Sequence, residues 1–83
     1  MKTYLLVSRG PGVDVPFVDT FKSLNEALSL STQLELGGWT SQVYAKAGKI
    51  TPGEQSNIRT LLMSNSPDCQ QLLRDMGIVP LQA

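Results

Sequence analysis

The run "TYLLVSR", residues 3–9, restricts the fold more than any other stretch of the chain. As an extended strand it places Leu5 and Val7 on one face and Tyr4 and Leu6 on the other, so both faces are apolar. A strand that is apolar on both sides belongs in the middle of its sheet or under cover on both faces. The remaining segments have to supply that cover.

They have little material to do it with. The chain has 83 residues, close to the size at which one hydrophobic core is just sufficient, so a single domain over 1–83 is expected. An apolar share of 41% is too high for a disordered chain. Seven basic residues balance seven acidic ones, with a pI near 6.1, so the chain lacks the overall basic excess that binding through nucleic-acid phosphates requires. A local basic patch stays open. Cys69 is the single cysteine and there is no histidine. No disulfide can form within the chain, no Cys/His zinc site can be assembled, and neither metal nor cofactor is expected. The four apolar residues of "YLLV" are too few for a signal peptide or a membrane span, which points to a cytoplasmic protein without a membrane partner.

Beyond the first strand, "GPGVDVP" reads as a turn and "FVDTF", residues 17–21, as a second strand forming a hairpin with the first. "SLNEALSLSTQLELGG" is a helix. Ser23 and Glu26 have the spacing of a capping box, Leu24, Ala27, Leu28, Leu30 and Leu34 form its apolar stripe, and Gly37–Gly38 stop it. Residues 39–50 read as a third strand, with Trp39, Val43, Ala45 and Ala47 on the helix-facing side. A strand–helix–strand unit joins parallel strands, so the second and third strands flank the first, giving the order 2-1-3 with the first antiparallel to both. "TPGEQSNIRTLLMSN" repeats the helix signals with Thr51 as cap, Pro52 in the first turn and Glu54 closing a capping box. "SPDCQQLLRDMG" does so again with Ser66 as cap and Gly77 as stop, and the tail "IVPLQA" is apolar enough to dock. The expected architecture is α+β: a ββαβ core over 1–50 with a three-stranded antiparallel sheet, then a C-terminal helical hairpin over 51–83.

The motifs that could carry chemistry are few. Gly10-Pro11-Gly12 follows a strand beside Arg9, as a phosphate loop would. It lacks the spacing of a dinucleotide or Walker loop, however, and it leads into a strand rather than a helix. Its proline also removes a backbone donor. Cys69 has no histidine to act as its base, and its spacing with Leu72, Leu73 and Met76 turns it toward a core. The seven acids are scattered, and Glu26, Glu54 and Asp68 have places at helix starts. No catalytic constellation emerges, and the chain reads as a non-enzyme. The sheet face away from the first helix is more informative. Parity combines Lys2, Tyr4 and Leu6 of the first strand with Gln42, Tyr44 and Lys46 of the third on that face. Three fates are open for it: cover by the C-terminal helices, contact with a protein, or stacking of single-stranded nucleic acid on the tyrosines.

The stretch "FKSLNEALSLSTQLELGGWTSQVYAKAGKI" resembles a layout of small phage and prophage accessory proteins. In that layout a strand leads into a T/S-L-x-E-A helix, a glycine turn and a strand containing V-Y. Ser23, Leu24, Glu26, Ala27, Gly37, Gly38, Val43 and Tyr44 carry the likeness, which spans 30 of the 83 residues. It implies a binder of bacterial host machinery, including an inhibitor of a defence complex, and transfers no catalytic residue. The expectation is thus a protein-interaction module contacting its partner through Tyr4, Gln42, Tyr44 and Lys46 on the sheet and Arg9 and Asp14 at the loop. Two alternatives stand beside it: a single-strand nucleic-acid binder using the same tyrosines, and a homodimer hiding the sheet face in its own interface.

Overall fold

The first strand lies between two neighbours and between two layers of helix. The structure, a computed structural model, describes residues 2–64 and 67–81. Strand β1 (Lys2–Arg9) pairs antiparallel with β2 (Phe17–Phe21) on one side and with β3 (Thr40–Ala47) on the other. Helix α1 (Leu24–Leu36) connects β2 to β3 across β1, as the crossover argument requires. Helices α2 (Pro52–Met63) and α3 (Cys69–Asp75) follow. The expected three-stranded sheet is a four-stranded one. Ile78–Pro80 forms β4, antiparallel to β3, and the order is β2-β1-β3-β4. The tail was expected to dock by its apolar content alone. It docks as a strand because Gly77, at φ 83°, turns the chain back from α3 onto the open edge of β3.

Two apolar clusters hold the layers together. On one face Leu6, Ala27 and Val43 are buried, with Tyr4, Phe21, Leu24, Leu30 and Leu34 packed around them beneath α1. On the other, Leu5, Val7, Val18, Tyr44 and Ile78 meet Ile58 and Leu62 of α2 and Leu73 of α3. Leu5 and Leu6 are neighbours in sequence, face opposite layers and are both fully buried. Each contributes about 1.5–3 kcal/mol by leaving water. Leu28, placed in the α1 stripe by its spacing, sits at the margin of the layer and is exposed.

The register corrects the expected sheet face. Leu5 stands opposite Tyr44 and Tyr4 opposite Ala45, and directly paired residues share a face. Tyr4 and Leu6 therefore lie under α1, while Tyr44, Gln42 and Lys46 lie on the α2–α3 side. Alternation alone defines two sets within each strand, but only the pairing says which set of one strand joins which set of the other.

Both sheet edges are blunted. Gln55 Nε2 and Arg59 Nη2 of α2 donate to the Val18 carbonyl of β2, at 3.3 and 3.5 Å, and Asp19 Oδ1 accepts from the Thr20 N–H at 2.8 Å. At the other edge, β4 is only three residues long and includes Pro80, which has no N–H to offer a new strand.

The two expected capping boxes differ. At α2 the box is complete, with Glu54 N–H donating to Thr51 Oγ1 and Thr51 N–H to Glu54 Oε1, both at 3.2 Å. At α1, Ser23 occupies the cap position, but its side chain makes no capping hydrogen bond. The start of α3 is also shifted: Asp68 is its N-cap residue, and the expected cap Ser66 lies outside the described residues. Thr51→Ala should lower the unfolding free energy by about 1 kcal/mol, whereas Ser23→Ala should cost no more than a few tenths. Urea denaturation of the two variants checks this, and equal losses would mean that both boxes form.

Candidate functional site

The path of the chain brings three connections to one end of the sheet. β1 finishes there at Arg9, opposite Thr40 at the start of β3. The loop between β1 and β2 begins with a turn in which the Val13 N–H donates to the Gly10 carbonyl at 3.2 Å, with Pro11 and Gly12 at the corner. Gly12 has φ 74°, the conformation that a type II turn requires at its third position. Gly10 backs directly onto the Trp39 ring, and a Cβ there would lie 2.8 Å from a ring carbon. Trp39 therefore belongs to this junction rather than to the strand expected to begin with it. Helix α2 also ends here, and Arg9 Nη2 donates to the Leu62 carbonyl in its last turn at 2.9 Å. Neither α1 nor α2 has a basic residue in its last turn, so Arg9, from a strand, supplies the cation that favours the α2 C-terminus.

Between this end of the sheet and the α2–α3 layer lies a cleft of about 430 Å³ lined by Arg9, Gln42, Tyr44, Leu62, Cys69 and Gln70, among others. It unites three of the six expected contact residues. Two of those three are committed to structure: Arg9 holds α2, and the buried Tyr44 hydroxyl accepts a hydrogen bond from Gln70 Nε2 at 3.1 Å. Gln42 is half-buried, with its Nε2 donating to the Val43 carbonyl at 3.3 Å. The expected tyrosine platform is absent from this arrangement, because Tyr44 is covered by the helices and Tyr4 is half-buried on the opposite face. Lys46 is at the far end of β3, where its Nζ meets Glu54 Oε2 at 2.6 Å. That hydrogen bond, together with the one from the Thr51 backbone, holds the Glu54 carboxyl below its ordinary value. Asp14 is exposed in the loop, at the same end as Arg9. The structure thus separates the six into a cleft group, a loop residue, a residue under α1 and an ion pair.

Cys69 packs partly into the α2–α3 core. Burial pushes its thiol up from 9.0, and the nearby positive charge of Arg9 offsets only part of that rise. A thiol held protonated is a poor nucleophile. Across the sheet, the Ser31 and Ser41 hydroxyls hydrogen-bond to each other, and the one that accepts donates its own proton to Glu35 Oε1, which lies 3.3 Å from Ser31 Oγ and 3.2 Å from Ser41 Oγ. This carboxylate is therefore occupied in tying the α1 C-terminus to β3. Among the described residues, no group of three or more His, Cys, Asp or Glu side chains is placed to hold a metal ion. No helix among them is long and apolar enough to cross a membrane.

The surface at this end carries residues that the strand-face argument passed over. Val13, Val15 and Phe17 are exposed along the loop and the first residue of β2, Leu36 at the end of α1, and Met63 at the end of α2. The signal was present in "GVDVPF", where apolar residues alternate inside a turn region, and in Leu36 and Met63, which fall outside the stripes of their helices. Compared with known proteins, the chain matches no protein-family model, no curated protein and no solved structure.

If burial governs the thiol, Cys69 should react with an aromatic disulfide reagent more slowly than a free small-molecule thiol. Its rate should still be rising with pH at 9.0, its ordinary value. Arg9→Gln should displace the profile further upward. A profile centred below 9 would contradict the assignment.

Proposed function

We propose that the protein acts without catalysis, by stoichiometric contact with another protein through the end of the sheet formed by the Gly10–Pro16 loop and the C-termini of α1 and α2. The observation that carries this reading is the exposure of apolar side chains on the segments that end there: Val13, Val15 and Phe17 on the loop and β2, Met63 on α2 and Leu36 on α1, the last 85% exposed. Apolar side chains grouped at one surface of a small protein mark a contact surface when polar groups rim them. Here the rim is Asp14 in the loop and Arg9 at the mouth of the cleft. The turn at Gly10–Val13 and the packing of Gly10 on Trp39 hold the loop in shape before any partner arrives, which reduces the ordering cost of binding.

Three further observations support a non-enzymatic role. The chain has no histidine, the Cys69 thiol is shifted toward its protonated form, and Glu35 and Glu54 are engaged in structural hydrogen bonds. The resemblance to phage accessory proteins supplies the class of partner, a component of a bacterial host or defence complex, met in the reducing cytoplasm where Cys69 stays a free thiol. Tyr4, Tyr44 and Lys46 drop out of the contact surface in this reading; Arg9, Asp14 and Gln42 remain at or beside it.

The test is affinity capture from bacterial lysate with the wild type, with Val15→Asp combined with Leu36→Asp, and with Arg74→Glu as a distant control. A protein retained at comparable molar amount by the wild type and the control, and lost from the double variant, is the expected result. Circular dichroism of the variants guards against unfolding. Identical captured sets for all three proteins would overturn the reading. So would a solution mass at twice 9.0 kDa that reverts to the monomer in the double variant, because a second copy would then be the occupant.

A further inference from the structure

The opposite end of the sheet has a different character. All four lysines of the chain are there: Lys2 opens β1, Lys22 follows β2, and Lys46 and Lys49 lie at and beyond the end of β3. Among the described residues, Lys46 alone of the four is paired with a carboxylate, that of Glu54. Lys2, Lys22 and Lys49 make no ion pair among the described residues, and they line a single groove of about 450 Å³ together with Thr3, Thr20, Phe21 and Ile50. No acidic side chain lines it. Of the carboxylates near these lysines in sequence, Asp19 accepts from the Thr20 N–H and Glu54 is held by Lys46 and Thr51, while Glu26, four residues after Lys22, is exposed and lies outside the groove lining.

The groove is also anchored. Gly48, at φ 100°, turns the chain away from β3, and its carbonyl accepts from Thr3 Oγ1 at 2.6 Å. The Lys49 carbonyl accepts from Lys46 Nζ at 3.3 Å. The backbone presenting Lys49 is thereby tied to β1 and to β3. Phe21 packs inward against the α1 cluster, remains half-buried, and lines the groove. Three exposed lysines with no ion pair among the described residues, beside a half-buried aromatic ring, form a surface that favours an anion. In a chain of net charge zero, it is a local excess with no global one behind it.

We propose that this groove binds a phosphate-bearing ligand of nucleotide chemistry, its phosphate held among Lys2, Lys22 and Lys49 and its base against Phe21. Ammonium groups act as point charges toward phosphate, and a base stacks on an aromatic ring whatever its identity. The volume suits one nucleotide rather than an extended polymer, and single-strand binding would use the groove one residue at a time. The site is at the far end of the sheet from the proposed protein contact, so either can fail without the other.

The experiment titrates uniformly labelled protein with adenosine monophosphate, pyrophosphate and a short oligothymidylate at low salt, following amide resonances. The expected result is movement of Thr3, Thr20, Phe21, Lys22 and Lys49 with adenosine monophosphate. Affinity should fall by about tenfold or more when Lys2, Lys22 and Lys49 are all changed to Gln, and should weaken steadily as salt is raised. Phe21→Leu should weaken the nucleotide more than pyrophosphate. Tighter binding of the oligothymidylate than of the mononucleotide would identify a strand as the source, and the reverse a free nucleotide; both support the proposal. It is overturned if none of the three probes moves these resonances, if the shifts survive in a triple variant with wild-type circular dichroism, or if pyrophosphate binds as well as the nucleotide and Phe21→Leu changes neither.

Discussion

The two-sided burial of β1 is the constraint on which the rest of the molecule depends. Leu5 and Leu6 point into different layers and are both fully buried, so the chain has to build one layer of helix above the sheet and another below it. With 83 residues it does so using α1 alone on one face and the pair α2 and α3 on the other. The free edge of β3 is then closed by β4, and the edge of β2 by side chains from α2 and by Asp19. Faces and edges are spent on stability. Of the sheet itself, its two ends are left without such cover.

Those ends are unlike each other, and the difference follows from chain direction. β1 starts, and β2 and β3 finish, at the lysine end; the loop after β1 and the last turns of α1 and α2 meet at the other. One end has Lys2, Lys22 and Lys49 lining a groove, and the segments that end at the other expose Val13, Val15, Phe17, Leu36 and Met63. A net charge of zero does not report where charges lie, and the groove lined by Lys2, Lys22 and Lys49 has no acidic side chain in its lining.

Much of the architecture was legible before the structure. The apolar residues on both sides of β1 placed it centrally, the crossover rule placed β2 and β3 beside it, and the glycine, proline and capping signals marked helix ends to within a few residues. What escaped has physical reasons. A tail as short as "IVP" carries too few residues for alternation to distinguish a strand from a docked coil. The mutual facing of strands depends on register, which period-two patterning leaves undetermined, and this is how Tyr4 was joined to Tyr44. The Ser23–Glu26 spacing permits a capping box without forcing it. The loop at Gly10–Pro16 was recognisable as a turn and Arg9 as its neighbour, but the reach of Arg9 to the Leu62 carbonyl joins residues too distant in sequence for any local pattern to show.

The cover of the sheet on the Tyr44 side is directly measurable. In a nuclear Overhauser spectrum, the Tyr44 ring should show contacts to the Gln70 side chain and to apolar side chains of α2 and α3, and none to the Tyr4 ring. A soluble paramagnetic agent should leave the Tyr44 ring signals nearly unbroadened. Strong broadening of those signals, or contacts between the two tyrosine rings, would mean that the sheet face is open and would contradict the burial of Tyr44.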